Sequence, residues 1–287
     1  MHSRAAIRSI LVPTDFSNEA QVAFHHALRL SIALGAQLEV LHVEPENDHS
    51  DWRWGPHVVA TLVRWGYLPD GATQDDLPAL GISVRKQLVV GTDVVTATLL
   101  EVARTHADLV VIATHGRTGL MSWLQPSVAM PVAVRAAIPV LVVPTADRGF
   151  VDAKSGAISL SRVLIPVDHR PHPAPAFDAV GLFMRALPPE SRIVATMHVG
   201  TQAPETGWFP AESSWQLLNW TASGPVVETL VETAHTWDAD MVVCVSEGRR
   251  SVADMVRGST VERLIHAMPM PVMVVPHEWG TDQVGTD

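Results

Sequence analysis

A single cysteine, Cys244, in 287 residues rules out an intrachain disulfide. It lies in the apolar run 241–245, where a buried structural thiol in a reducing compartment is the expected state. Long apolar runs are lacking too: no stretch reaches the roughly 18 consecutive apolar residues that cross a bilayer. Residues 1–8 are short and polar, and the apolar run after them meets Asp15 too soon for a secretory leader. Basic residues are in deficit, 20 against 30 acidic ones, and a formal charge of −10 excludes general nucleic-acid affinity driven by counterion release. The expectation is a cytoplasmic protein with no membrane and no nucleic-acid partner. Catalytic signatures are missing as well: there is no G-x-x-x-x-G-K-[ST] loop, no G-x-S-x-G elbow and no H-E-x-x-H helix. An enzyme is therefore not expected, and slow hydrolysis of a bound nucleotide is the most that the sequence leaves open.

What the chain does contain is a repeat. Residues 107–117 (ADLVVIATHGR) return as residues 239–249 (ADMVVCVSEGR), a shift of 132 that also carries 139–144 (PVLVVP) onto 271–276 (PVMVVP). The opening ILVPTD at 10–15 maps onto VLIPVD at 163–168. With 47% hydrophobic residues there is material for two packed cores. The division this predicts is a first domain over residues 1–146, a linker of small and polar residues over 147–161, and a second domain over 162–287.

Within the first unit the apolar spacing alternates between strand and helix periods. It predicts strands at 9–14, 37–43, 84–90, 109–113 and 140–143, and helices near 18–34, 58–67 and 93–106, with a last helix ahead of the closing strand. The first helix should bury Ala23, Ala27, Leu30 and Leu34, and the third Val95, Leu99 and Val102. Strands alternating with helices imply a parallel sheet with right-handed crossovers, and runs such as LVVIA fit strands covered on both faces. The second unit repeats the order, but 21 residues are missing where unit one has its second helix; a loop rich in Pro, Gly and Thr is expected there. The closing strands, 140–143 and 272–275, would leave apolar edges unless they pair, within the chain as an intrachain pseudo-dimer or between chains as a homodimer.

An Asp ending the first strand, a G-x-x-G loop, nine residues, G-[ST] before the last helix and a closing PVLVV strand together resemble the universal stress protein family, over essentially the whole chain and twice. The resemblance implies an α/β fold of two tandem five-stranded parallel-sheet domains of the adenine nucleotide alpha hydrolase-like type, the second lacking one helix. It also implies a stress-response role and, in nucleotide-binding members, ATP with Mg held by the glycine loop, with the strand-one Asp placing the adenosine. Other members lack the loop and bind no ATP.

The loop has its own physics. Glycines let backbone N–H groups face an anion, and a helix N-terminus adds partial positive charge. Unit one reads Ala113, Thr114, His115, Gly116 and later Pro126, Ser127, so it keeps one glycine of three, and Pro131 predicts a helix that starts late. Unit two reads Val245, Ser246, Glu247, Gly248 and later Gly258, Ser259. Ser259 can cap the helix, and Arg249, Arg250 and Arg257 bring positive charge. Val245 replaces the first glycine and would be strained in a left-handed backbone or crowd a ligand in an extended one. The predicted nucleotide site is therefore mainly in unit two, at Asp168, Val199, Gly248, Arg249, Gly258 and Ser259. Asp15, Val43, Gly116 and Ser127 mark a degraded counterpart in unit one.

Plainer readings stand beside these. Asp15 and Asp168 serve equally as turn formers or helix caps, and Gly248 and Gly258 as turn glycines. Among fourteen histidines, His169 with His172 and the adjacent pair His25 and His26 do not make a converging ligand set, so no metal site is expected. Two functions remain: a regulatory protein binding ATP or a related adenine nucleotide, and a stress-related scaffold that binds protein partners or another small ligand.

Overall fold

The structure, a computed structural model, is described for residues 6–44, 55–91, 93–114, 128–145, 149–187, 192–204, 215–247 and 260–280. In the first half strand β1 (Ser9–Pro13) leads to helix α1 (Asn18–Leu34), β2 (Gln37–Glu44), α2 (Val58–Arg64), β3 (Val84–Val90), α3 (Val94–Thr105), β4 (Leu109–Thr114), α4 (Ala129–Arg135) and β5 (Val140–Pro144). The second half runs β6 (Arg162–Pro166), α5 (Ala174–Ala186), β7 (Arg192–Val199), β8 (Trp215–Ala222), α6 (Val226–Thr236), β9 (Met241–Ser246), α7 (Thr260–Ala267) and β10 (Val272–Pro276). Among the described residues, no helix lies between β7 and β8. No described helix is long and apolar enough to cross a membrane.

The ten strands form one sheet in the order β3-β2-β1-β4-β5-β10-β9-β6-β7-β8. Neighbours within each half are parallel, and β5 meets β10 antiparallel through Val142 and Val272, Leu141 and Met273, Val140 and Val274. Successive residues of a strand point to opposite faces, and here both faces are dry. Ile10 and Val12 join one core with Phe24 of α1 and Phe177 of α5, while Leu11 joins the other with Val132 of α4 and Leu264 of α7. Helices α1, α2 and α5 thus cover one face, and α4, α6 and α7 the other.

The repeated Ala-Asp at the head of β4 and β9 now has a physical reason. Asp108 Oδ2 accepts hydrogen bonds from the Arg8 and Ser9 N–H groups, and Asp240 Oδ2 accepts from the N–H groups of Ser161 and Arg162 and from the Ser161 hydroxyl. Each carboxylate satisfies backbone donors at the start of the neighbouring central strand and so sets the register of the sheet centre.

Two features depart from the sequence reading. A 3-10 segment at Gln74–Leu80 occupies the stretch before β3, its N-terminus closed by a reciprocal Thr73–Asp76 capping box. The stretch after β5 is not a free tether: Phe150, Val151 and Leu160 are buried in the first core, the Arg29 Nε–H donates to the Gly156 carbonyl, and the Trp65 indole donates to that of Ala153. His26, fully buried on α1, donates from Nδ1 to the Val22 carbonyl and accepts at Nε2 from the Val151 N–H, 3.3 Å away. Gly149 passes so close that a Cβ there would sit 2.4 Å from the His26 ring.

Burial pushes the His26 imidazole from 6.5 down to about 4, against the opposing effect of the Val22 bond. The unfolded chain therefore takes up this proton first, so stability is whole above about pH 6.5 and falls as the pH drops toward 4, by up to about 3 kcal/mol from this group. His26→Leu, which leaves the Val151 N–H without its acceptor, should cost about 1–3 kcal/mol at pH 7 and flatten that acid slope, measured by urea unfolding across pH 4–8.

Candidate functional site

In the second half the chain leaves β6 for β7 on one side and later returns to β9 on the other, with α5 and α7 on opposite faces. Such a reversal of strand order opens a crevice at the carboxyl ends of the two central strands. The ladder has the same shape: β6 and β9 pair only at Val163 with Met241 and Leu164 with Val242, in their first halves, whereas β6 pairs with β7 along its whole length.

A cavity of about 340 Å³ occupies this crevice. Asp168 enters from the turn after β6, Val199 from the end of β7, and Val245, Ser246 and Glu247 from the end of β9; Leu230 of α6 and Leu264 of α7 supply apolar wall. Val134 of α4 reaches it from the first half. The rim carries three carboxylates, Asp168, Glu247 and Glu262, and one guanidinium, Arg170. A wider, shallower groove of about 590 Å³ lies beside α2, away from the strand ends.

Of the residues singled out by sequence, Asp168 and Val199 converge on this one cavity. Asp168 is two-thirds exposed, and its Oδ1 accepts from the His169 N–H and sits 3.9 Å from Nδ1 of the buried His198. In unit one Asp15 and Val43 hold the equivalent strand ends, but the Asp15 Oδ1 is taken by the Ser17 N–H, and the Ser17 hydroxyl accepts from the Ala20 N–H to cap α1. Asp15 thus acts as a turn former in the structure. Gly116, Ser127, Gly248, Arg249, Gly258 and Ser259 lie outside the described residues. Helix α4 begins at Ala129, which puts Pro131 in the first turn, where its missing N–H leaves no intrahelical bond unmade.

Val245 settles the question raised by its replacement of a glycine. It is a strand residue paired with Val275, and its φ is not positive, so the backbone is unstrained. Its side chain bounds the cavity and narrows it. Sequence reasoning missed Met197, Leu230 and Val134 as lining residues. Their apolar character looks like ordinary core: Met197 is a β7 residue, Leu230 arrives with α6 packed on β7, and Val134 arrives from the first half on α4, which packs beside α7.

The sequence pattern of the Universal stress protein family matches residues 6–144 and 221–276, more than half of the chain. The chain belongs to the universal stress protein family. Among solved structures, this universal stress protein is similar to one from Archaeoglobus fulgidus DSM 4304, at 19% identity and a TM-score of 0.66, covering 94% of this chain and 97% of that one. It is also similar to a functionally unknown protein from Pseudomonas aeruginosa PAO1, at 17% identity and a TM-score of 0.62, covering 97% and 98%. At these identities the likeness is one of fold, and it extends over both halves. No curated protein matches the chain in sequence.

Cys244 borders the cavity yet is only 4% exposed, and burial pushes its thiol up to about 12. A thiol this protonated is a poor nucleophile. A disulfide reagent should therefore titrate no thiol in the native protein at pH 8 and one per chain in denaturant, read by the colour of the released thiolate.

Proposed function

We propose that this universal stress protein is a cytoplasmic regulatory protein of the stress response that binds ATP or a related adenine nucleotide, with Mg, in the crevice of its second half, and that it acts by binding rather than by catalysis. One observation carries the reading: Asp168 and Val199, from two different strands, converge on one cavity at the point where the strand order reverses. Its volume, about 340 Å³, falls in the range of small-molecule sites, and its mostly apolar walls with a few polar groups at the rim suit a base and a ribose. In this reading Asp168 accepts from ribose hydroxyls, and Val199 and Leu230 pack against the base. The phosphates extend toward Ser246 and the start of α7, with Gly248, Arg249, Gly258 and Ser259 as their proposed ligands and Mg offsetting the charge of Glu247 and Glu262. Unit one, where Asp15 Oδ1 accepts from both the N–H and the hydroxyl of Ser17, takes no nucleotide in this reading.

A scaffold that binds partners without nucleotide is the second reading, favoured by the Val245 side chain that narrows the cavity and by the Glu247 carboxylate at its mouth.

Titration calorimetry of the nucleotide-free chain with Mg-ATP should give one site per chain. Asp168→Ala, which removes a charged hydrogen-bond acceptor, should weaken binding about 10–100-fold. Gly258→Asp should also weaken it, and Ser127→Asp should leave it unchanged. No heat at several temperatures would transfer the assignment to the scaffold, and loss of binding in Ser127→Asp alone would move the site to unit one.

A further inference from the structure

We propose that Asp168, His169 and His198 form a binding site for a divalent transition-metal cation of the zinc type. One ligand atom from each of the three lies within 4.8 Å of the other two. Asp168 and His169 follow β6, and His198 comes from β7, so the fold joins ligands 30 residues apart in the chain. His172, the neighbour closer in sequence, is not part of the set.

The two imidazoles are held as metal ligands need to be. The His198 Nδ1 lies 3.1 Å from the Val167 carbonyl oxygen and the His169 Nε2 lies 3.0 Å from that of Gln202. A carbonyl only accepts, so each of these nitrogens carries the proton; the lone pair left for a cation is on Nε2 of His198, whose Nδ1 stands 3.9 Å from Asp168 Oδ1, and on Nδ1 of His169. This is how protein metal sites fix the tautomer and orientation of a ligating histidine. The His198 side chain is 7% exposed, which positions it, while Asp168 and His169 are open to solvent, where a cation can reach them. Tetrahedral ligands at about 2.1 Å from a zinc ion stand about 3.4 Å apart, so occupation draws together ligand atoms that lie within 4.8 Å of one another. Two imidazoles and one carboxylate select zinc and its first-row neighbours over Mg and Ca, which take oxygen ligands, and they leave a further coordination position for water.

The other half of the molecule is an internal comparison. Asp15 and His42 occupy the places of Asp168 and His198, and the His42 Nδ1–H donates to the Thr14 carbonyl in the same manner, at 2.8 Å. The middle residue is Phe16, stacked on the His42 ring with centroids 4.0 Å apart and planes 17° from parallel. A hydrocarbon ring therefore stands where unit two has its third ligand. The proposal does not depend on nucleotide in the crevice, although Asp168 belongs to both.

The test uses the full, untagged chain, stripped with a chelator and free of nucleotide, with Zn²⁺ as the probe. Titration calorimetry and metal analysis after dialysis should give one Zn²⁺ per chain. Co²⁺ in its place should give visible bands of a low-coordinate nitrogen and oxygen site. His169→Phe, which copies the arrangement that unit one already tolerates, should keep the melting temperature and weaken Zn²⁺ binding by at least about 100-fold. His172→Ala should leave it unchanged. The proposal is overturned if the wild-type chain binds no Zn²⁺, if His169→Phe binds it as tightly as the wild type, or if His172→Ala is the variant that loses it. Any of these results leaves the separate Mg-ATP titration untouched.

Discussion

Everything in this molecule depends on three residue pairs between β5 and β10. A five-stranded parallel sheet ending in VLVV has a closing edge that is apolar on both faces and unpaired along its backbone. Turning two such edges toward each other satisfies both ladders and fuses what would be two small cores into two continuous ones, one on each side of a ten-stranded sheet. The seam also reaches the candidate site. By setting α4 beside α7 on the same face, it lets Val134 from the first half close part of a cavity that otherwise belongs to the second.

Around that seam the halves share a frame and differ in detail. Asp108 and Asp240 do the same work, anchoring the start of the central strand, and His42 and His198 both tie back to the turn after it. The difference is concentrated at one position. Phe16 has a left-handed backbone, with φ at 64°, and its ring covers His42, whereas His169 meets His198 edge-on with centroids 5.8 Å apart. A bulky residue at positive φ is unfavourable, and the stacking contact compensates part of that cost. The turn of unit one is thereby closed over its own histidine, and that of unit two is left open.

Much of this was legible in the sequence because the signal was periodic. The span of α1, 18–34, and that of β3, 84–90, match the structure, since apolar spacing and flanking turn residues mark their ends unambiguously. The doubled fold followed from the repeat. What could not be read were features that depend on where the chain returns to. The 3-10 segment opens on three polar residues, Gln74, Asp75 and Asp76, and contains Pro78, which hides it from any helix template. The stretch after β5 looked like a linker because its buried residues, Phe150, Val151 and Leu160, are too widely spaced to show a period. His198 reads as a core histidine until the fold puts it beside Asp168. Val245 reads as a possible source of strain until its strand conformation is known, and the glycine loops that carry the sequence argument for phosphate lie outside the described residues.

The register of the seam has a consequence for how the two halves can change. The repeat shift of 132 makes Met273 the counterpart of Leu141, and these two residues face each other, flanked by Val140 with Val274 and Val142 with Val272. The local twofold therefore passes between Leu141 and Met273, as it would in a symmetric dimer of single units. In such a dimer every substitution is made twice, and a residue on the axis must fit against its own copy. Joining the units in one chain removes that constraint. Leucine faces methionine here, and by the same freedom one turn holds phenylalanine where the other holds histidine.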